Sequence, residues 1–326
     1  MEYPKSKSLT EWLEKAISNE YMNIFDHNKF VNRVEIGRGG FGIVNKCTWT
    51  DCKLAVALKT LGDGADFDDR INPEFVRELW LLQKISFHPN IIQFYGLIKD
   101  PNIKNYEMVL QFAADGDLRC YLRNNFAILE WTDKLRMAEE ITLGLLFLHS
   151  NNIVHLDLHS KNILVHEGKM MIADFGLSKR LDETSAASRS KTQGLTAYVD
   201  PQCFINDAYK RNKSSDIYAL GVILWEITSG RPPFHAIRSQ EAIAIQIFQN
   251  KRETPVENTP KGYVRLYERC WDGDPKKRPE INILHETLEC LKSEENLPDL
   301  EKLTIQDNSP SENRYLGPPI VNPVLN

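Results

Sequence analysis

The sequence has no Cys-x-x-Cys pair. No histidine follows its six cysteines (Cys47, Cys52, Cys120, Cys203, Cys270 and Cys290) at a zinc-type spacing. Neither a zinc module nor a secreted disulfide scaffold is therefore expected, and the thiols read as reduced ones of the cytosol, or else the nucleus. Long apolar runs are lacking too: the longest, Ala219 to Trp225, falls far short of the ~20 residues of a membrane span. The opening MEYPKSKSLTEW carries no apolar run behind its charges, so it does not read as a secretory signal. Nor is there a basic excess. Forty Lys and Arg stand against 45 Asp and Glu, a net charge of −5, which argues against a general nucleic-acid binder or a polybasic membrane-surface protein. No internal repeat is found. What is present is a composition ordinary for a globular protein, 42% hydrophobic and 26% charged over 326 residues. That length suits one large or two modest domains.

Three regions follow from patterning. Residues 1–30 read as a helical extension, capped by Ser8, with Leu9, Trp12, Leu13, Ala16 and Ile17 at helical spacing. Such a stripe either docks on the main body or binds a partner. From Val31 to about Leu110 the signals are strand-like: Val34 to Ile36, Gly42 to Thr48, the alternating Lys53 to Leu61, Ile91 to Leu97, and Tyr106 to Leu110. One helix interrupts them. Asn72 can cap it, Pro73 suits its first position, and Phe75, Leu79, Leu82 and Ile85 make its stripe. After a seam at about Gln111 to Gly116 helices dominate: Leu118 to Asn124, Thr132 to Ser150, Ser214 to Ser229 and Ala236 to Phe248. Short strands fall at 153–155, 163–166 and 170–173, the last two joined by a Glu167-Gly168 hairpin signal. Beyond about Leu297, scattered prolines and lost periodicity read as a disordered tail, 293–326.

Several motifs carry chemistry. Ile36-Gly37-Arg38-Gly39-Gly40-Phe41-Gly42-Ile43-Val44 contains G-x-G-x-x-G running from strand to strand, where a dinucleotide site would run into a helix. Without side chains, backbone N–H groups can approach phosphates closely; a ligand-free glycine hairpin is the alternative. On the next strand Ala57 and Lys59 share a face, a small residue beside a cation. Glu78 follows in the helix, on the face of Leu82, and a carboxylate there would fix the ammonium. His155-Leu156-Asp157-Leu158-His159-Ser160-Lys161-Asn162 and, further on, Asp174-Phe175-Gly176 each come after a short strand. Two carboxylates and an amide at strand ends suit a hard cation and a hydroxyl.

Taken in order with Asp216-Ile217-Tyr218-Ala219-Leu220-Gly221 and Asp274-Pro275-Lys276-Lys277-Arg278-Pro279, these parts resemble the eukaryotic protein kinases over about residues 31–292. The flavour is that of the tyrosine-kinase-like group with serine/threonine-type features. The resemblance implies an α+β bilobal fold: a small five-stranded antiparallel N-lobe with one helix (31–110), a hinge (111–117) and a larger, mainly helical C-lobe (118–292). It implies ATP and Mg²⁺ as cofactors and a protein substrate. Lys59 would contact the ATP phosphates and pair with Glu78; Asp157 would orient the acceptor hydroxyl as catalytic base; Asn162 and Asp174 would bind Mg²⁺. Residues 36–42 would cover the phosphates. Leu110 would be the gatekeeper, Gln111, Phe112 and Ala113 the hinge, Asp117 a ribose contact, and Val44, Ala57 and Leu164 the walls around adenine. Leu82, Phe94, His155 and Phe175 would stack as a regulatory column above Asp216, positions that also serve as plain core.

Four departures from the pattern stand out. The arginine expected before the catalytic aspartate is Leu156, which implies weak dependence on activation-segment phosphorylation. The lysine two residues after that aspartate in serine/threonine kinases is His159, which implies slower or pH-dependent transfer. Ala-Pro-Glu is Asp200-Pro201-Gln202, leaving only a neutral partner at 202 for Arg278. The threonine of the substrate-facing loop is Leu195, with Thr196 adjacent as a substitute. Ser185, Ser188, Ser190 and Thr192 lie among basic residues, as a solvated loop or as autophosphorylation sites. The loop QGLTAYVDPQ favours serine/threonine acceptors. A nucleotide-binding pseudokinase scaffold is the alternative function.

Overall fold

A computed structural model describes residues 9–19, 21–39, 42–60, 73–99, 106–181 and 195–295. The caps foreseen at Ser8 and Asn72, loop residues Gly40 and Phe41, the serines and threonine of 185–192 and the tail beyond 295 lie outside them.

The first described element is α1 (Leu9–Ser18), then β1 (Ile24–Phe25), β2 (Phe30–Gly39), β3 (Gly42–Trp49) and β4 (Leu54–Thr60). Helix α2 (Pro73–Ile85) follows, and β5 (Phe94–Lys99) and β6 (Tyr106–Gln111) complete the sheet in the order β1-β5-β6-β4-β3-β2. The described sheet is thus six-stranded, where five strands were expected. The extra one is β1, from the N-terminal extension, which pairs in parallel with β5 through Ile24–Leu97 and Phe25–Ile98. The extension's stripe docks inward: Trp12, Leu13 and Ala16 are buried in the same core as Phe75, Val76, Leu79 and Trp80 of α2.

Alternation along β4 splits the sheet into two faces. Val56 and Leu58 join Phe30, Cys47, Ile98 and Val109 on one side, covered by Phe25, Trp49 and Tyr95. Ala57 faces the main core on the other. Glu107 sits on β6 in register with Thr60, is buried, and is satisfied by a bidentate Arg33 (3.0 and 2.7 Å) and by the Thr60 hydroxyl.

The helical part comprises α3 (Leu118–Asn125), α4 (Trp131–Ser150), α5 (Gln202–Ile205), α6 (Lys213–Ser229), α7 (Gln240–Phe248), α8 (Lys261–Cys270) and α9 (Ile281–Glu295). Almost the whole of α6 is buried, including Leu220, Ile223, Leu224 and Trp225. Helix α7 begins later than its periodicity suggested, because the Ser239 side chain accepts from the Ala242 N–H and starts the helix there. Among the described residues no helix is long and apolar enough to cross a membrane.

Between α4 and α5 run β7 (Ile153–Val154), β8 (Ile163–His166), β9 (Lys169–Ile172) and β10 (Lys179–Arg180). Glu167 and Gly168 join β8 to β9 with φ of 51° and 72°, the primed turn that matches strand twist. The two short ladders, β8–β9 and β7–β10, hold the ends of the loops that carry Asp157 and Asp174.

Candidate active site

Strand β4 delivers Lys59 to the inner face. Its ammonium meets both Glu78 oxygens, at 2.7 and 2.9 Å, and Asp174 Oδ1 at 3.1 Å. Glu78 reaches it because α2 buries Leu79, Leu82 and Ile85. Burial by itself would lower the Lys59 pKa, but the two carboxylates outweigh it and raise it, so the cation is permanent. Burial pushes Glu78 up against the pull of Lys59, and Lys59 holds Asp174 below its usual range despite burial. The triad therefore carries a locked cation and at least one firmly ionised carboxylate.

Asp157 is buried. Asn162 Nδ2 donates to its backbone carbonyl at 2.9 Å and to Oδ2 at 3.3 Å. Burial raises its carboxyl pKa, a push opposed by His155, Arg211 and the Asn162 hydrogen bond and reinforced by Asp174. Two bonds tie this loop to the segment entering Asp174: the Ala173 N–H donates to Asn162 C=O (2.8 Å), and His155 Nε2 to Ala173 C=O (3.1 Å). Leu156 and Asp174 both take left-handed φ, 68° and 63°. That conformation costs about 1–2 kcal/mol per non-glycine residue, so the surroundings must impose it. At Leu156 they do. Asp216 accepts the N–H groups of His155 (2.9 Å) and Leu156 (2.8 Å) and a His149 bond (3.0 Å), while Arg211 donates to the Leu156 carbonyl at 2.7 Å. Phe175 is fully buried with its ring 5.2 Å from that of His155.

The remaining sequence-singled residues are placed as follows. Val44 lies opposite Lys59 and Leu110 opposite Ala57 in the sheet. Val44, Ala113 and Leu164 are half-buried and pack onto the core cluster that contains Ala57. Gln111 ends β6 and donates its N–H to the Gln93 carbonyl at 2.9 Å. Gly39 pairs with Gly42, whose φ is 110°, and a side chain at Gly37 would meet open space. Ile36 is exposed, and Arg38 pairs with Glu35 (3.0 and 2.7 Å). Asp117 caps α3, accepting the Cys120 N–H at 2.8 Å, a duty the sequence did not disclose.

Two expectations from the departures need correction. His159 is not a group that titrates near neutrality. Burial, chiefly, pulls its pKa down to about 4, and its Nδ1 accepts the Asn162 N–H at 3.2 Å. The ring stays neutral between pH 6 and 8. Nor is Arg278 left with a neutral partner. Asp200 meets it with two parallel hydrogen bonds of 2.7 and 2.9 Å, both side chains fully buried, while Gln202 donates instead to the Gly273 carbonyl at 2.9 Å. Leu195, not Thr196, lines the cavity beside Asp157.

A second buried network escaped the sequence reading. Glu226 of α6 accepts from the Tyr198 hydroxyl, from Ser160 Oγ (3.0 Å) and from Arg119 Nε (3.3 Å), and Arg119 Nη2 also donates to Tyr198 (2.9 Å). It pins the segment around Tyr198 to the loop that carries Asp157. The signal was weak because its members lie on four separate segments.

The comparisons agree with this geometry. The family model for protein tyrosine and serine/threonine kinases matches residues 30–288. The chain is 31% identical to the serine/threonine-protein kinase CTR1 of Arabidopsis thaliana over 262 residues, 79% of this chain and 31% of that one. It is 32% identical to mitogen-activated protein kinase kinase kinase 10 of Xenopus laevis over 271 residues, 78% and 25% of the two chains. With the tyrosine-protein kinase Fer of Mus musculus the identity is 29% over 259 residues, 79% and 30%. The chain thus spans about a third or less of the length of these relatives. The two lobes, the hydrogen-bonded Lys59–Glu78–Asp174 triad, the Asp157–Asn162 loop above Asp216 and the family match over most of the chain lead to one assignment: this chain belongs to the protein tyrosine and serine/threonine kinase family.

Proposed function

We propose that the chain transfers the γ-phosphate of ATP to hydroxyl groups of a protein, with serine and threonine as the favoured acceptors. The observation that carries this is the convergence of Lys59, Glu78 and Asp174 beside Asp157 and Asn162, every polar member held by hydrogen bonds. The donor set suits Mg²⁺: Asp174 is held ionised, and Asn162 spends its Nδ2 on Asp157, which turns an amide oxygen to other use. Asn162 and Asp174 would hold the ion, which supplies charge neutralisation at the phosphates when bound.

The chain's own residues do the rest. Lys59 keeps a fixed positive charge beside Asp174, and Glu78 sets its position. Asp157 orients the acceptor hydroxyl and takes its proton late, a task that positioning rather than strong basicity serves in a loose transition state. The glycines of residues 37–42 allow backbone N–H groups to approach phosphates, and Val44, Ala57 and Leu164 offer apolar faces for adenine. Gln111 and Ala113 would meet it at the hinge, and Asp117 the ribose. Serine/threonine preference rests on the QGLTAYVDPQ loop and on the likeness to the serine/threonine-protein kinase CTR1; the likeness to the tyrosine-protein kinase Fer supplies the tyrosine alternative. The six unpaired cysteines support a reducing compartment, the cytosol or nucleus.

The test is Mg·ATP-dependent phosphorylation of a generic protein acceptor by the purified chain beside its Asp157→Asn variant. Incorporation into serine or threonine that the variant loses is expected. ATP binding with no incorporation by either protein would replace this reading with a nucleotide-binding scaffold.

A further inference from the structure

Leu156 occupies a costly backbone conformation one residue before Asp157, and its peptide groups are clamped on both sides. Asp216 of α6 takes the two N–H groups. The carbonyl is taken by Arg211, at 2.7 Å, from the loop that joins α5 to α6. The carbonyl of residue 156 and the N–H of Asp157 belong to one peptide plane, so a rotation of that plane moves Asp157 with it. Position 156 itself carries only an apolar, buried side chain. Any cation acting on this turn from the C-lobe must come from elsewhere, and Arg211 supplies it.

We propose that Arg211 is a positioning residue for phosphoryl transfer: by holding the Leu156 carbonyl it keeps the left-handed turn that aims Asp157 at the acceptor. This rests on the reading of Asp157 as the group that orients the acceptor hydroxyl. The loop that carries the arginine is itself held on both sides. Tyr209, two residues earlier, donates its hydroxyl to Asp200 Oδ2 at 2.9 Å; Asn206 Oδ1 accepts the Ala208 N–H at 2.9 Å; and Asn212 caps α6. Asp200 ends the peptide-facing segment and is locked to Arg278. One short loop therefore connects the seat of the peptide-facing segment to the peptide bond that carries Asp157. Arg211 also lines the small cavity shared by Asp157, Leu195 and Tyr198.

The experiment uses the full chain and compares kcat, the KM for ATP, affinity for a non-hydrolysable ATP analogue and thermal midpoint. The proteins are wild type, Arg211→Met, Arg211→Lys and Asp157→Asn. For Arg211→Met we expect a fall in kcat of about 10- to 100-fold, the scale of a slightly misplaced reacting group, with nucleotide affinity unchanged. Arg211→Lys, which keeps a charged donor, is expected to stay within about threefold of wild type. The proposal is overturned if Arg211→Met keeps wild-type kcat, if Arg211→Lys loses as much as Arg211→Met, or if the loss disappears once rates are corrected for the folded fraction. Should Arg211→Met not fold, Arg211→Gln decides: a several-fold drop in kcat supports the role and wild-type kcat refutes it. Full activity in Asp157→Asn would instead bring down the underlying reading of Asp157. An inactive Asp157→Asn beside a fully active Arg211→Met removes only the role of Arg211.

Discussion

Asp200 and Arg278 form a fully buried pair, and charges buried so deeply persist only when their geometry is complete. It is complete here: besides the two guanidinium bonds, Asp200 accepts from Tyr209 and Ser215, and Arg278 donates to the carbonyls of Asp272 and Ser214. Burial would raise the Asp200 pKa, but the hydrogen bonds from Arg278 outweigh it and hold it below the ordinary carboxylate range. The sign of the linkage follows. A depressed folded pKa contributes stability that is present above the unfolded value of about 3.9 and is lost as pH falls through the folded one. Asp200→Asn is therefore expected to destabilise the protein at pH 7 by about 3–5 kcal/mol, the usual cost of removing one partner of a buried pair. The difference should shrink below pH 4. Urea unfolding of both proteins at pH 7 and pH 3.5 checks this, and an equal gap at both would contradict it. Nothing in the residue type at 200 announced the pair. Sequence reasoning looked for a carboxylate at 202, and the chain places it two positions earlier, where the turn before α5 brings it to the same guanidinium.

Among the elements, the N-terminal extension departs furthest from expectation. Its helical stripe was legible from Leu9, Trp12, Leu13 and Ala16, because a 3.6-residue repeat shows in any sequence. Docking on the main body was one of its two readings and is what the core shows; that α2 receives it, and the strand that follows, were not legible. A two-residue strand has no period to read, and its pairing partners, Leu97 and Ile98, lie far along the chain beyond four other elements of the lobe. Gly96 is what admits it. At φ 154°, it lets the Asn23 carbonyl accept the Leu97 N–H at 2.9 Å, and an added Cβ would stand 2.5 Å from that carbonyl oxygen and 2.8 Å from the Phe25 ring. Gly96→Ala is expected to push β1 off the sheet edge. Amide exchange at Leu97 should then rise about tenfold or more, a loss of protection of about 1.4 kcal/mol or more, while β3 and β4 keep theirs. Unchanged exchange at Leu97 would show that the edge accommodates the methyl.

At the scale of the molecule, the two lobes are joined at the site by Lys59, whose ammonium bridges α2 and the loop after β9. The triad, the His155–Phe175 ring contact and the clamp on Leu156 are all formed in the structure. A leucine at 156 has no charge with which to receive a phosphate, and the turn there is held by Asp216 and Arg211 instead. Activity is therefore expected to survive phosphatase treatment within about threefold, which is under about 1 kcal/mol at the barrier. The check is transfer to a protein acceptor before and after dephosphorylation. Abolition by phosphatase, with recovery through one phosphosite in residues 174–202, would overturn it.

By itself the sequence determined the two-lobed α+β architecture and singled out the residues of the proposed site. Lys59, Glu78, Asp157, Asn162 and Asp174 could be picked out because each sits in a short motif whose spacing is local, a turn of helix or an alternation along a strand. Only the tertiary structure decided how those groups are charged and held. Burial keeps His159 neutral. The Arg278 pairing went to Asp200, and α6 and the loop before it supplied Asp216, Glu226 and Arg211. The reason is physical: a pKa or an ion pair depends on desolvation and on distances between segments far apart in the chain, and neither quantity has a sequence period.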